Sequence, residues 1–286
     1  MVPPEGKYTY IMFSKNEAKW SFNKVIKFHS DNYMRDSKIT VPIEFIGGNN
    51  EIIKITPSSP QATNFIFDEE NRQYIFEYVN TNTTQAEIII KGELINKTKG
   101  EWNVDLSDDQ IERLIPEEDS LCKEQLKKIA KNIIKEFDRN NKENDFEFLD
   151  FMKIGLWVNK NIKYDYRYTG KTQYNAIDIY NMKRGVCHHF TKLTNALLYS
   201  LGYKVIYITG YCCKNNKTID KNSLHAYSLI KLENGKWFPF DSTWGILTGK
   251  IHVGHVFKMF GNKGRSSLSY DSLIFDTDEL EGNFIK

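Results

Sequence analysis

The hydrophobic pattern of this chain changes its period part of the way along, and that change limits the folds that the sequence can adopt. Over residues 7–95 apolar and polar residues alternate in short runs. One such run is Ile39, Val41, Ile43 and Phe45. A period of two is typical of strands with one buried face. From Leu126 onward apolar residues recur every third or fourth position instead, as they do in an amphipathic helix. The sequence therefore predicts a β-rich segment followed by one that begins with helices.

Turn-forming residues separate the alternating runs of the first segment. Two examples are Gly47-Gly48-Asn49-Asn50 and Pro57-Ser58-Ser59-Pro60. Short strands joined by turns at a spacing of roughly ten residues favour an antiparallel sandwich. We therefore predict that residues 1–105 form an all-β, immunoglobulin-like sandwich domain.

Residues 106–286 predict helices first and antiparallel strands afterwards. Apolar stripes at helical spacing predict three helices, at residues 126–137, 149–157 and 187–201. Asp145 can cap the second helix, and Gly202 follows the third at a position where glycine commonly ends a helix. β-branched and aromatic residues predict three strands, at residues 203–210, 226–232 and 236–240. This order is typical of an α+β domain.

The charge balance and the apolar content argue against two kinds of partner. Lys and Arg (39) nearly balance Asp and Glu (37), without a long run of one sign, so no nucleic-acid surface is predicted. No apolar stretch reaches the roughly 18 residues of a membrane helix, and Met1–Gly6 lacks the features of a signal peptide. We therefore expect no membrane insertion and a cytoplasmic location as the sequence stands. If further residues precede Met1, a cell-envelope or secreted location is the alternative.

Cys187 lies in the segment Gly185-Val186-Cys187-His188, at the predicted first turn of the third helix. The unpaired backbone N–H groups and the dipole of a helix N-terminus favour negative charge. A thiol at this position therefore ionises more easily and becomes a better nucleophile near neutral pH. Because a lone cysteine is commonly a small, buried apolar residue, the assignment depends on a base and an acid elsewhere in the chain.

His225 and Asp241 lie on the two arms of a predicted hairpin whose turn is Glu233-Asn234-Gly235. A three-residue loop with glycine in the left-handed conformation gives a pairing that places Asp241 opposite Tyr227. His225 and Asp241 then share one face of the hairpin, on a diagonal of about 7 to 8 Å, so that imidazole and carboxylate can meet. A two-residue loop would put them on opposite faces. The register of this hairpin therefore tests whether the two residues can act together.

A cysteine, a histidine and an acid in this arrangement can carry out acyl transfer. His225 would take the thiol proton while Asp241 fixes the tautomer of the imidazole and supports its charge. Cys187 would attack a carbonyl carbon to form a thioester, and its backbone N–H with one upstream side chain would stabilise the oxyanion. The side chains able to do so are Trp157, Tyr164 and Gln173, and the sequence does not choose among them.

The other histidines and cysteines show no spacing that is typical of a metal site. Ligand types occur at Cys187-His188-His189, Cys212-Cys213 and His225, but C-x-x-C and H-x-x-x-H are absent among them. We therefore predict neither a metal nor a cofactor. No role is assigned to the remaining histidines that were considered, His188, His189, His252 and His255. Four cysteines, two of them adjacent, are too few for a disulfide scaffold, so free thiols are expected.

Three blocks of the sequence occur in an order that one enzyme family shares. They are Gly185-Val186-Cys187 with Leu201-Gly202, Gly210-Tyr211 with His225-Ala226, and Trp237 with Asp241-Ser242-Thr243-Trp244. Together they resemble the transglutaminase-like superfamily of papain-related cysteine enzymes, over roughly residues 153–245. The resemblance implies that Cys187 is the nucleophile, His225 the base and Asp241 the orienting acid. Tyr227 stands where the family often has Trp, and Ser242 where it often has Pro.

Three functions fit these residues, and the first two share all chemistry up to the thioester. If water resolves the thioester, the protein is a cysteine peptidase or amidase; if a lysine-type amine does so, it is a crosslinking transglutaminase. We favour hydrolysis, because the resemblance is to the core of the superfamily and not to its long, multidomain crosslinking enzymes. In the third function the β-sandwich binds a protein partner and the triad is vestigial, which the presence of all three residues argues against. The expected substrate is a peptide or protein amide.

Overall fold

The computed structural model describes most of the chain. The described residues are 17–29, 38–43, 48–59, 64–68, 73–79, 85–97, 102, 104, 106–140, 149–212, 218–219, 224–247, 249, 251, 255–261 and 273–283. Among them antiparallel sheets and helices occur in the order that an α+β class predicts.

Antiparallel strands form the first part of the described chain. They are β1 (Glu17–His29), β2 (Lys38–Ile43), β3 (Asn50–Ser59), β4 (Asn64–Asp68), β5 (Gln73–Val79) and β6 (Gln85–Lys97). β1, β6 and β3 are neighbours in one sheet, and β2, β5 and β4 form another. The alternating run at Ile39, Val41 and Ile43 lies in β2, whereas Phe45 lies outside the described residues. An immunoglobulin-like sandwich of the two sheets stays a prediction.

Helices occupy most of the chain between residues 108 and 200. They are α1 (Asp108–Glu112), α2 (Glu117–Leu121), α3 (Lys123–Asn140), α4 (Asp150–Asn161), α5 (Ala176–Met182) and α6 (Cys187–Ser200). The three predicted helices correspond to α3, α4 and α6, whose buried apolar faces share one core. Leu149 occupies the N-cap position of α4 without a side-chain cap, and Asp145, the predicted cap, lies outside the described residues.

Two sheets accompany α6. The short strands β7 (Lys163–Tyr164) and β8 (Arg184–Gly185) pair in parallel just before it. The strands of the larger sheet are β9 (Val205–Cys212), β11 (Leu224–Lys231), β12 (Trp237–Phe240) and β13 (His255–Phe260). Their order in the sheet is β12-β11-β9-β13. α6 packs on one face of this sheet, where Ser228 Oγ donates to Asn195 Oδ1 at 2.6 Å. A second apolar cluster, which includes Trp102 and Tyr227, covers the other face.

The end of the described chain returns to the first sheet. β14 (Leu273–Asn283) pairs antiparallel with β1, and β10 (Thr218–Ile219) pairs with β14. The first sheet thus contains strands from both ends of the described chain. β10 and β14, from the predicted domain 106–286, therefore lie in the same sheet as strands of the predicted domain 1–105. The limits of the two domains stay a prediction.

Two further expectations concern the thiols and the membrane. Cys122, Cys187 and Cys212 are free thiols, as expected, and Cys213 lies outside the described residues. None of the helices in the described part of the chain has the length and apolar content that crossing a bilayer requires.

Candidate active site

Cys187 is the first residue of α6, as the sequence predicts. Val186 precedes the helix in an extended conformation, and its backbone N–H donates to Nδ1 of His189 at 3.1 Å. This hydrogen bond satisfies a buried donor that the start of the helix would otherwise leave unpaired. Cys187 is partly exposed as a residue, although protein atoms surround most of its thiol. The nucleophile candidate therefore lies where backbone donors and the helix dipole favour a thiolate.

Gly185 allows the chain to approach α6 closely. A Cβ at this position would lie 2.4 Å from Cβ and 2.7 Å from Cγ of His189. His189 is almost fully buried, so its ring has little room to move. Glycine is therefore required at the first position of Gly185-Val186-Cys187 because a side chain would not fit, and not because of its backbone conformation.

We expect Gly185→Ala to destabilise the fold by about 1–3 kcal/mol, because overpacking next to a buried ring displaces its surroundings. The displacement acts on the first turn of α6 and should also slow alkylation of Cys187. Denaturant unfolding and iodoacetamide labelling measure the two effects. As a control, Gly185→Ala should cost much less when it is made in the background of His189→Gly, which removes both the Cβ and the ring that the new methyl group would meet. Equal costs in the two backgrounds would contradict this steric explanation.

The hairpin of β11 and β12 has the register that a three-residue loop predicts. Ser228 pairs with Phe240, Lys231 pairs with Trp237, and Gly235 has a φ of +80°. As a result His225 and Asp241 point to the same side, and His225 Nε2 lies 2.8 Å from Asp241 Oδ2. Both side chains are buried. The predicted meeting of imidazole and carboxylate is confirmed.

The carboxylate of Asp241 is held on both oxygens. Oδ1 accepts from the backbone N–H groups of Thr243 at 2.8 Å and Trp244 at 3.2 Å. Asn159 of α4 fixes the following turn, because its Nδ2 donates to the carbonyls of Ser242 and Thr243 at 2.9 and 3.1 Å. These bonds fix the direction in which Oδ2 faces His225.

The charges of the three residues support one another. Burial by itself would raise the pKa of the Cys187 thiol, but a hydrogen bond and the positive charge of His225, with the Ala226 N–H, lower it overall. Burial would lower the pKa of His225, but Asp241 and Cys187 raise it to about 10. Burial would raise the pKa of Asp241, whereas His225 and His255 hold it well below its usual range. At pH values between the lowered pKa of Cys187 and the His225 pKa of about 10, the arrangement favours a thiolate beside an imidazolium.

The three candidates for the oxyanion site lie in different surroundings. β7 pairs Tyr164 with Gly185, two residues before Cys187, and the charge and the backbone N–H of Cys187 both influence the pKa of the Tyr164 phenol. Burial and the Cys187 charge raise the pKa of Tyr164, so its O–H proton stays available. Trp157 stacks on Tyr180 instead, with ring centroids 5.4 Å apart, and Gln173 is exposed. Tyr164 is the candidate whose polar atom the structure brings to Cys187.

His255 is a residue that the sequence analysis passed over. Its Nε2 lies 3.0 Å from Asp241 Oδ2, the oxygen that also faces His225, and its side chain is fully buried. Among the described residues, the ligand atoms of His225, Asp241 and His255 lie close enough together to hold a metal ion. Both histidines already hydrogen-bond to Asp241. His255 occurs outside the three sequence blocks, and the pairing of β13 with β9 brings it to the site.

Comparisons with known proteins concern the fold of the chain. Among solved structures, the chain is similar to a candidate cysteine protease from Cytophaga hutchinsonii, with 19% identity and a TM-score of 0.56, over 95% of this chain and 92% of that one. The periplasmic domain of TgpA from Pseudomonas aeruginosa aligns at 8% identity with a TM-score of 0.42, over 86% of this chain and 95% of that one. A comparison with curated protein sequences found no match. The first similarity shows a shared fold.

The family comparison covers the part of the chain that contains the site. Residues 118–242 match the family model that is described as the transglutaminase-like superfamily. This range includes Cys187, His225 and Asp241 and ends before His255. The similarity to the transglutaminase-like superfamily therefore covers the part of the chain that contains the candidate site.

Proposed function

We propose that the protein is a cysteine enzyme that cleaves peptide or protein amides through a thioester, with Cys187 as nucleophile, His225 as base and Asp241 as orienting acid. The observation that supports this most strongly is that His225 lies 2.8 Å from the buried carboxylate of Asp241 and also lowers the pKa of the Cys187 thiol. A thiol that is influenced by an imidazole, with a carboxylate bound to that imidazole, is the arrangement that nucleophilic acyl transfer requires.

The geometry assigns each nitrogen of His225 a task. Nε2 donates to Asp241 Oδ2, so Nδ1 is the nitrogen that remains for the thiol. Cys187 attacks the carbonyl carbon as a thiolate, and the imidazolium of His225 then donates its proton to the leaving amine as the C–N bond breaks. Water, deprotonated by the neutral imidazole, attacks the thioester and releases the acid together with free Cys187.

Hydrolysis is the outcome that we favour over amine transfer. Cys187 is partly exposed, so water can reach the thioester. An enzyme that crosslinks must keep water away from the thioester while it admits a primary amine. The protein from Cytophaga hutchinsonii, which has the same fold, is described as a candidate cysteine protease, and this description supports the proposal.

The choice between water and amine can be tested without knowledge of the natural substrate. p-Nitrophenyl acetate acylates reactive cysteines, and release of nitrophenol reports both acylation and turnover. We expect a burst of one equivalent that Cys187→Ala abolishes, and a steady rate that added cadaverine leaves unchanged. A steady rate that rises with cadaverine, together with acetylated cadaverine as product, would favour transglutaminase activity. Absence of the burst in the folded parent protein would contradict the enzyme proposal itself.

Tyr164 is proposed to stabilise the oxyanion together with the backbone N–H of Cys187. The backbone N–H and the charge of Cys187 both influence the pKa of the Tyr164 phenol, which indicates that the phenol lies beside the thiol. A carbonyl oxygen that binds there can accept from the phenol and from the N–H. The ring is held by Phe190 and Tyr166, with centroids 6.0 and 5.1 Å away. Its position therefore depends on packing more than on the hydroxyl group.

We expect Tyr164→Phe to lower the rate of acylation by about 10²-fold, because it removes one oxyanion donor and keeps the packed ring. Stopped-flow measurement of the nitrophenol burst gives this rate. Tyr166→Phe is the matched control, since Tyr166 is 66% exposed, and it should acylate like the parent. If Tyr164→Phe also acylated like the parent, Tyr164 would have no part in the oxyanion site.

A further inference from the structure

Two histidines share one oxygen of Asp241, and the proposed mechanism uses only one of them. His225 Nε2 lies 2.8 Å and His255 Nε2 lies 3.0 Å from Oδ2. All three side chains are buried, His255 and Asp241 completely. Because a carboxylate only accepts, His255 must donate from Nε2. The second histidine therefore completes the set of donors around Asp241.

The surroundings of His255 keep it a neutral donor. The rings of His225, Tyr227 and Trp244 have centroids 5.2, 5.4 and 5.2 Å from its own, and Cys212 Sγ lies 3.8 Å from its nitrogens. Burial lowers the pKa of His255 to about 4, although its hydrogen bond to Asp241 opposes that change. At neutral pH it therefore holds the carboxylate without adding a second positive charge beside His225.

His255 is itself held by the first sheet. Asn96 of β6 donates from Nδ2 to the carbonyl oxygen of His255 at 2.8 Å, and Asn49 donates to the same oxygen at 3.3 Å. Asn49 and Asn96 also hydrogen-bond to each other, and both are buried. Two buried amides that converge on one carbonyl fix the start of β13 against the first sheet.

A neighbouring contact joins the same two sheets without touching the site. Asn50 Nδ2 donates to the carbonyl oxygen of Phe257 at 2.6 Å. A substitution here removes a hydrogen bond between the same two sheets and leaves the bonds to His255 in place. Asn50 therefore provides a matched control for Asn96.

We propose that His255 is a positioning residue that holds Asp241 in place for His225, and that His255 is held by Asn96 of the first sheet and by Asn49, which directly precedes β3. The β-rich part of the chain is then a component of the active-site scaffold. This inference rests on the proposed function, because it assigns His255 a role in the same Cys-His-Asp chemistry.

The substitutions His255→Leu and His255→Gln test the first step. Leu removes the donor, whereas Gln retains an N–H that can reach Oδ2. We expect His255→Leu to lower kcat for p-nitrophenyl acetate about 10- to 100-fold with little change in KM, since ångström-scale misplacement of a catalytic group has effects of this size. The pH at which alkylation of Cys187 begins to rise should increase. A loosely held Asp241 stabilises the imidazolium of His225 less, and the imidazolium in turn stabilises the thiolate less. His255→Gln should restore most of both properties.

Asn96→Leu tests the second step, with Asn96→Ser as a smaller change if the first does not fold. We expect the alkylation profile to shift in the same direction as in His255→Leu, and the double variant His255→Leu/Asn96→Leu to show no further shift, because both act through one contact. Asn50→Ala should alter the unfolding midpoint and leave the profile unchanged.

The outcomes separate this inference from the proposed function. If the folded parent shows no rapid alkylation at low pH, the proposed function fails. If the parent shows it, and folded His255→Leu has the parent's kcat and profile, only the role of His255 is overturned. If Asn96→Leu shifts the profile no more than Asn50→Ala does, or if its effect adds to that of His255→Leu, the role of the first sheet is overturned.

Discussion

Replacing Asp241 with Asn is expected to lower turnover of p-nitrophenyl acetate by about 10⁴-fold, the size of effect found when the orienting acid of a Ser-His-Asp enzyme becomes an amide. The geometry explains why an amide should fail at this position. Oδ1 accepts from two backbone N–H groups, so the oxygen of Asn must stay there. The amide nitrogen then faces Nε2 of both His225 and His255, donor against donor. His225 must therefore carry its proton on Nδ1, and it can no longer accept the proton of the thiol.

This expectation is specific to the present site, because other cysteine enzymes use Asn next to the histidine. Asp150→Asn is a matched control, since Asp150 is a half-exposed partner of Lys153 on α4. It should have the parent's kcat. Unfolding midpoints of the parent and both variants show whether a loss is a loss of structure. A folded Asp241→Asn protein with the parent's activity would show that Asp241 does not orient His225.

His225→Ala is expected to have an effect of similar size, about 10⁴-fold, because it removes the base and the acid of the reaction together. It also removes the charge and the hydrogen bond that lower the pKa of Cys187. The thiol should then return toward an ordinary pKa of about 8.5, so little thiolate is present near pH 6. Steady-state rates and alkylation rates in the same samples measure the two consequences.

Rescue by a small molecule serves as the control for His225→Ala, because it replaces the missing base and leaves the rest of the chain unchanged. Added imidazole should restore part of the activity of His225→Ala and none to Cys187→Ala. Full activity of folded His225→Ala would exclude His225 as the base.

The sequence predicts the helix of Cys187 and the hairpin of His225 and Asp241 because both depend on local rules. The apolar stripe and Gly202 define α6, and the loop Glu233-Asn234-Gly235 determines the register. A short range of sequence therefore contains the information that brings imidazole and carboxylate together.

The remaining parts of the site depend on contacts that no local pattern encodes. Tyr164 reaches Cys187 through a two-residue parallel pair, which has no detectable periodicity. His255 reaches Asp241 only because β13 pairs with β9, across a register shift between Phe257 and Met259. The sequence around His255 does not indicate its contact with Asp241. The one available signal is that His255 follows the Asp241 turn closely in the chain. The pairing of β14 with β1 is likewise a long-range contact that composition does not predict.

The rate of iodoacetamide alkylation at Cys187, followed by peptide mass spectrometry from about pH 4 to about pH 9, tests the central claim most directly. Cys122, another free thiol, is an internal reference in each sample. Since the pKa of Cys187 is lowered and that of His225 is raised to about 10, the thiolate should persist from acidic pH through neutrality. We therefore predict rapid labelling of Cys187 well below pH 7 that His225→Ala abolishes. Labelling that rises only above about pH 8, as for an ordinary thiol, and that ignores His225→Ala would contradict a thiolate–imidazolium pair and with it the proposed enzyme.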